Sequence, residues 1–121
     1  MGVRDRFRSL SHGTSELGAQ RLTDRFGDLG LIALSEAPAR TRVTVCGEVA
    51  RITLKPRAGA PAMEIVIDDG TGQATVVFSG RRTVRGVGHG TGIVIEGVGF
   101  EERGRIVFLN PAYRLLPEHA E

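Results

Sequence analysis

The sequence predicts an all-β domain of five strands preceded by a short helical arm. Three observations lead there. From Met63 to Ser79, two β-rich runs flank Asp68-Asp69-Gly70-Thr71-Gly72, and period-two alternation across a Gly/Asp break is the pattern of a β-hairpin. Three further β-rich runs, Thr41–Leu54, Thr91–Phe100 and Arg105–Leu109, are set off by Gly, Pro and Asn. Finally, Gly47 sits inside the first run, where glycine is costly unless the strand must bend. A small barrel needs that bend, because its first strand pairs with both halves of the sheet.

Residues 1–40 form the N-terminal tail and arm, 41–116 the barrel and 117–121 a flexible acidic tail. Met1 to Gly13 is Arg-rich and reads as a solvated tail. Thr14 or Ser15 can cap a helix starting near Glu16, with Leu17, Leu22, Phe26 and Leu29 as its apolar stripe. A second helical segment, Leu31 to Glu36, ends before Pro38. The arm is expected to pack on one end of the sheet domain; an arm of this kind can also dock a protein partner.

Within the barrel, Val43, Val45, Gly47 and Val49 share one face of the first strand. Lys55 to Pro61 is a loop whose Pro and Gly exclude regular structure. In the hairpin, Met63, Ile65, Ile67, Ala74, Val76 and Phe78 point inward, and Glu64, Val66, Gln73, Thr75, Val77 and Ser79 outward. Phe108 shares its face with Ile106 and also belongs to the core. Gly80 to Gly88 is a turn or a single helical turn. Ile93, Ile95 and Gly97 point inward from the fourth strand, and Glu101 to Gly104 is a hairpin turn. Asn110-Pro111 ends the fifth strand, after which Tyr113, Leu115 and Leu116 pack back on the barrel.

Composition sets bounds on function. The 121 residues carry a formal net charge of only +2. Between Thr41 and Gly90, seven cations face four acids, whereas from Thr91 onward three arginines face five glutamates. The basic stretch suits a polyanion, but the small surplus argues against tight binding. Cys46 is the only cysteine, so no intramolecular disulfide forms and a reducing compartment is expected. The N-terminus has no apolar signal region and no run is long enough to span a membrane, which together point to a cytoplasmic protein.

Catalytic chemistry lacks parts. His12, His89 and His119 show no metal-ligand spacing with one another or with Cys46. Cys46 has no base near it in sequence. Asp68-Asp69 is accounted for as a turn device. Gly86, Gly88, Gly90 and Gly92 match neither G-x-G-x-x-G nor a Walker loop, since no Lys-Ser/Thr follows. No enzyme activity, metal or cofactor is expected.

The run I-D-D-G-T-G-Q-A-T-V-V-F (Ile67 to Phe78) resembles strands two and three of OB-fold nucleic-acid-binding domains. V-T-V-C-G-E-V (Val43 to Val49), F-S-G-R-R (Phe78 to Arg82), G-T-G-I-V-I-E-G (Gly90 to Gly97) and N-P-A-Y (Asn110 to Tyr113) extend the likeness. It is similar to the OB domains of tRNA-synthetase anticodon-binding regions, to the wedge domain of branch-migrating helicases, and to small actinobacterial OB-fold proteins. The resemblance covers Arg42 to about Leu116 and implies a five-stranded Greek-key OB barrel.

Such barrels bind oligonucleotides on the face of strands two and three, between the first-second and fourth-fifth loops. The residues implied here are Arg51, Lys55, Arg57, Thr75, Val77, Arg81, Arg82, Arg103 and Arg105. The implied function is weak, sequence-tolerant binding of single-stranded or branched DNA or RNA without catalysis. Strong single-strand binders stack bases on exposed aromatics, and the outward face offers none; Phe100 alone lies near a binding loop. The alternative is an OB-fold protein–protein interaction module, using the helical arm and the strand two–three face.

Overall fold

A computed structural model describes residues 16–117 of the chain. The Arg-rich tail, the Thr14 or Ser15 cap, His12 and His119 lie outside the described residues. One α-helix, α1 (Glu16–Phe26), leads through two single 3-10 turns, Gly27–Leu29 and Leu34–Glu36, into seven strands. These are β1 (Arg42–Leu54), β2 (Ala62–Asp68), β3 (Gln73–Ser79), β4 (Gly92–Val98), β5 (Phe100–Glu102), β6 (Arg105–Leu109) and β7 (Ala112–Leu115). Their hydrogen-bonded order is β5-β6-β3-β2-β1-β4-β7.

This order corrects the closed, five-stranded barrel expected from sequence. The expected fourth strand is broken at Gly99. Its first part pairs with β1 and its second with β6, at opposite ends of the sheet order. Gly99 passes so close to the core that an added Cβ would stand 2.8 Å from Ile106 and 3.0 Å from Phe108. The sheet is therefore open in its ladders, and the chain passes between its two margins at Gly99 and again at Asn110-Pro111. The extra strand, β7, pairs antiparallel with β4.

The hairpin register matches the alternation of its sequence: Met63 faces Phe78, Ile65 faces Val76, and Ile67 faces Ala74. All six are buried in the main core, with Val45, Val49, Ile93, Ile95 and Phe108. Apolar area removed from water is the main favourable contribution to such a fold. Tyr113 meets Phe78 edge-on, with ring centroids 5.4 Å apart, and is itself 38% exposed.

Strand β1 serves both halves of the sheet, pairing with β4 from Arg42 to Glu48 and with β2 from Glu48 to Leu54. Gly47 lies at the crossover, where a Cβ would come within 2.9 Å of the Asp68 backbone nitrogen. A register shift follows between Val49 and Arg51. Such a bulge puts an extra residue in one strand, so inward residues are odd-numbered before it and even-numbered after it. Ile52 accordingly packs on the core, and Arg51, opposite Val66, projects outward.

The segment Lys55–Pro61 is more regular than its composition suggests. Arg57 and Ala60 exchange backbone hydrogen bonds of 2.8 and 3.0 Å, and Ala58 and Gly59 both have positive φ. Two such residues between paired strands form the primed turn that suits a twisted hairpin. The β5–β6 turn has the same form on Arg103 and Gly104. It is shorter than expected, since Glu101 and Glu102 belong to β5.

Helix α1 lies across the outer face of β1 and β4. Leu22 and Phe26 pack there on Cys46 and Val94. Leu17, assigned to the same stripe from sequence, is 83% exposed. At about 100° per residue it stands well round the helix from Leu22. Instead of a second helix, a single turn at Leu34–Glu36 plugs Leu34 into the main core.

Candidate nucleic-acid interface

The β2–β3 turn holds the arm in place. Asp68 accepts from the Gly70 N–H at 2.8 Å and from the Gln73 side-chain amide at 3.1 Å. One oxygen of Asp69 accepts from the Thr71 N–H, the Thr71 hydroxyl and the Gly72 N–H. Its other oxygen accepts from the Leu34 N–H at 2.9 Å, and the Thr71 hydroxyl also accepts from the Ser35 N–H. Both carboxylates are buried, a position that such bonding makes tolerable. The pair therefore closes the turn, as its sequence suggests, and also docks the arm, which its sequence does not disclose.

The nine residues proposed from sequence divide into three groups. Thr75 and Val77 are not on an open face: they are 8% and 0% exposed. Val77 is buried with Ala62 and Val107, and Phe100 packs against this patch. The outward side of the β2–β3 hairpin is thus a second, smaller apolar layer, which corrects the expectation of an accessible surface there. Phe100 is spent on this layer and is no stacking platform.

Arg57 and Arg105 form the second group. Arg57 donates to Glu102 at 3.3 Å, tying the β1–β2 loop to the β5–β6 hairpin. Arg105 is half-buried and directly opposite Glu102 in register. The two loops expected to flank an open groove are therefore bound to each other.

Arg51, Lys55, Arg81, Arg82 and Arg103 form the third group. All five are exposed, and no ion pair involving them occurs among the described residues. Arg51 and Lys55 stand on the same outward side of β1 beyond the bulge. The Lys55 N–H donates to the Ala62 carbonyl and the Gly80 N–H to the Pro61 carbonyl. These bonds bring Arg81 and Arg82, which follow Gly80, to the end of the sheet where Lys55 emerges. Half-buried Glu64 is the acid that intervenes, opposite Thr53 between Arg51 and Lys55. Arg103 stands on the β5–β6 turn, next to Glu102, which Arg57 of the β1–β2 loop engages.

The structure adds a constellation that sequence reasoning missed. Arg21 and Arg25 of α1 converge on Glu48 of β1. Arg21 grips it with both Nη atoms, at 2.8 and 3.1 Å. One Nη of Arg25 donates both to Glu48 and to the Gly90 carbonyl. Bonding to Arg21 holds the Glu48 carboxyl below the usual carboxylate range, against the opposing effect of burial, with Arg25 assisting. These groups line a cleft of about 750 Å³ with Gly86, His89, Thr91 and Leu116. The legible signal was the four-residue spacing of Arg21 and Arg25 beside Leu22 and Phe26, which puts the pair next to the buried helix face. Cys46 lies under the same helix, and burial, with the Asp69 charge, pushes its thiol up to about 11. Such a thiol is a poor nucleophile at neutral pH.

No helix of the described residues is long and apolar enough to cross a membrane. Neither a protein-family model nor a curated protein sequence matches the chain. Among solved structures it is similar to a chain in the crystal structure of yeast Stn1 and Ten1, with a TM-score of 0.53 at 15% identity. The match covers 95% of this chain and 60% of that one. The likeness is one of fold: an OB-like, β-rich domain, with one α-helix among the described residues.

Proposed function

We propose that this OB-like domain binds single-stranded nucleic acid without acting on it chemically, weakly and with little regard for base sequence. The binding surface is the outward side of β1 beyond its bulge, together with the adjoining end of the β2–β3 hairpin. One observation carries the reading: Arg51, Lys55, Arg81 and Arg82 are exposed and without an ion pair among the described residues, on neighbouring elements. Cations held at such positions can track a phosphate backbone, and arginine planes can stack on bases. The covered β2–β3 face supplies no aromatic platform, which sets the affinity low and leaves charge as the main attraction.

A second reading has its own support. The apolar layer of Ala62, Val77 and Val107 and the Arg57–Glu102 tie close the surface where OB domains commonly bind strands. That favours a protein-interaction module. Titration of labelled single-stranded DNA, single-stranded RNA and a forked duplex at low and raised salt separates the two. Binding that weakens steeply with salt and persists across sequences supports nucleic acid. No salt-dependent binding to any of the three transfers the assignment to a protein partner.

A further inference from the structure

We propose that the cleft between α1 and the Gly86–Gly92 loop is a separate anion subsite that takes the terminal phosphate monoester of a bound strand. The proposal rests on the nucleic-acid reading above and extends it to residues that lie outside the expected groove.

The cleft is lined by two guanidiniums, Arg21 and Arg25, and two carboxylates, Glu48 and Asp24, of which Glu48 is the one bonded to the arginines. A guanidinium carries more donors than one carboxylate can accept, and Arg21, whose side chain is 60% exposed, keeps donors to spare at the cleft mouth. Arg25, with only 10% of its side chain exposed, is fixed by Glu48 and by the Gly90 carbonyl. The two cations are thus held ready by the protein, which lowers the ordering cost of binding. The fork that Arg21 now presents to a carboxylate is also the geometry that binds phosphate bidentately. Asp24 lines the cleft as well, but it is exposed and accepts from the Gln20 amide rather than from either arginine. His89 lines it from the loop side.

Position makes the anion a strand end. Glu48 and Arg51 stand on the same outward side of β1, roughly 10 Å apart along the strand, so the cleft opens at one end of the cation row. A terminal monoester carries about −1.5 to −2 at neutral pH, more than an internal phosphate. A paired-guanidinium site rewards that difference most.

The test compares one thymidine oligonucleotide in 5′-phosphorylated, 3′-phosphorylated and unphosphorylated form by fluorescence anisotropy, with thymidine monophosphate as a separate probe. One phosphorylated form should bind about tenfold tighter than the unphosphorylated strand, the gain expected of a charge-assisted contact. Arg21→Gln should remove that gain and leave the unphosphorylated affinity in place. Glu48→Gln, which frees both guanidiniums, should enlarge it. Arg21→Lys keeps the charge without the fork and should still lose most of the gain if the glutamine variant does not fold. Equal binding of all three forms by wild type overturns the subsite and leaves the nucleic-acid reading standing. If no oligonucleotide binds, that reading falls, and thymidine monophosphate decides the cleft: binding that Arg21→Gln abolishes keeps an anion site there, and no binding overturns it.

Discussion

Gly70 lies so close beneath Ala19 that a Cβ added to it would stand 2.4 Å from the Ala19 carbonyl oxygen. The turn of the central hairpin is therefore fitted tightly against the Ala19 carbonyl and the Thr23 hydroxyl of α1. Gly70 also has φ +92, which costs an L-residue about 1–2 kcal/mol. Gly70→Ala should take on that strain and disturb the helix contact together, costing more than about 2 kcal/mol of stability in all. Gly72 has no positive φ, and its Cβ would meet the Ser35 nitrogen at 3.1 Å, so Gly72→Ala should be milder. Thermal melts with hydrogen exchange on α1 check both. A Gly70→Ala protein that melts like wild type, with α1 amides equally protected, would mean that the arm is not seated on the turn.

Phe78 is a core residue, 3% exposed, at the end of the alternation that begins with Ala74. Phe78→Ala should cost about 3–5 kcal/mol in denaturant unfolding. Its edge-on partner Tyr113 is an exposed lid rather than a core element, so Tyr113→Ala should cost less, about 0.5–1.5 kcal/mol for the ring pair plus the apolar area it covers. Equal costs for the two substitutions would contradict this division.

The ease of reading Phe78 from sequence contrasts with Arg51. The hairpin is local, and period-two alternation assigns its faces directly. Arg51 follows Val43, Val45, Gly47 and Val49 in odd register, so plain alternation would have turned it into the core and left Ile52 outside. The bulge reverses this, and its only trace in the sequence is apolar Ile52 and Leu54 falling on even positions. The break at Gly99 and the pairing of Ala112–Leu115 with β4 depend on contacts between distant segments, which no local pattern encodes. The cation row was legible as residue types, but not which cations are spent: the Arg57–Glu102 pair spans 45 residues and the Arg21–Glu48 pair 27. The outward face of the hairpin was misjudged because burial there depends on Val107 and Phe100, remote in the chain.

Glu48 gives the arm a pH dependence whose sign follows from its depressed pKa. A carboxylate held below its unfolded value adds stability that is fully present above that value, near pH 4.5, and is lost as pH falls through the folded pKa. Glu48→Gln should therefore cost about 1–3 kcal/mol at neutral pH, leaving two arginines without their shared anion. The gap between the variant and wild type should narrow as the pH drops below the usual carboxylate range. Denaturant midpoints measured from pH 7 downward check this; a gap that stays constant with pH would remove Glu48 from the linkage.

The cation row itself makes the most direct claim on function. Contacts between cations and phosphates release counterions, so log K for single strands falls with log salt at a slope near −0.7 per phosphate neutralised. Arg51, Lys55 and Arg82 are exposed and without an ion pair among the described residues, so their joint replacement by Gln should flatten that slope by about 2. The fold should persist, because exposed substitutions usually change stability by under about 0.5 kcal/mol. The matched control replaces Arg40, Arg42 and Arg57 with Gln. It removes the same formal charge, but Arg42 is engaged by Glu96 and Arg57 by Glu102, and Arg40 precedes β1, at the opposite end of that strand from Lys55. The control should leave the slope nearly unchanged. If both triple variants flatten the slope equally, net charge alone governs binding and the row on β1 has no special part in it. If the control flattens it more, the strand runs over the Arg57–Glu102 tie, which must then open on binding to free the groove between the two loops.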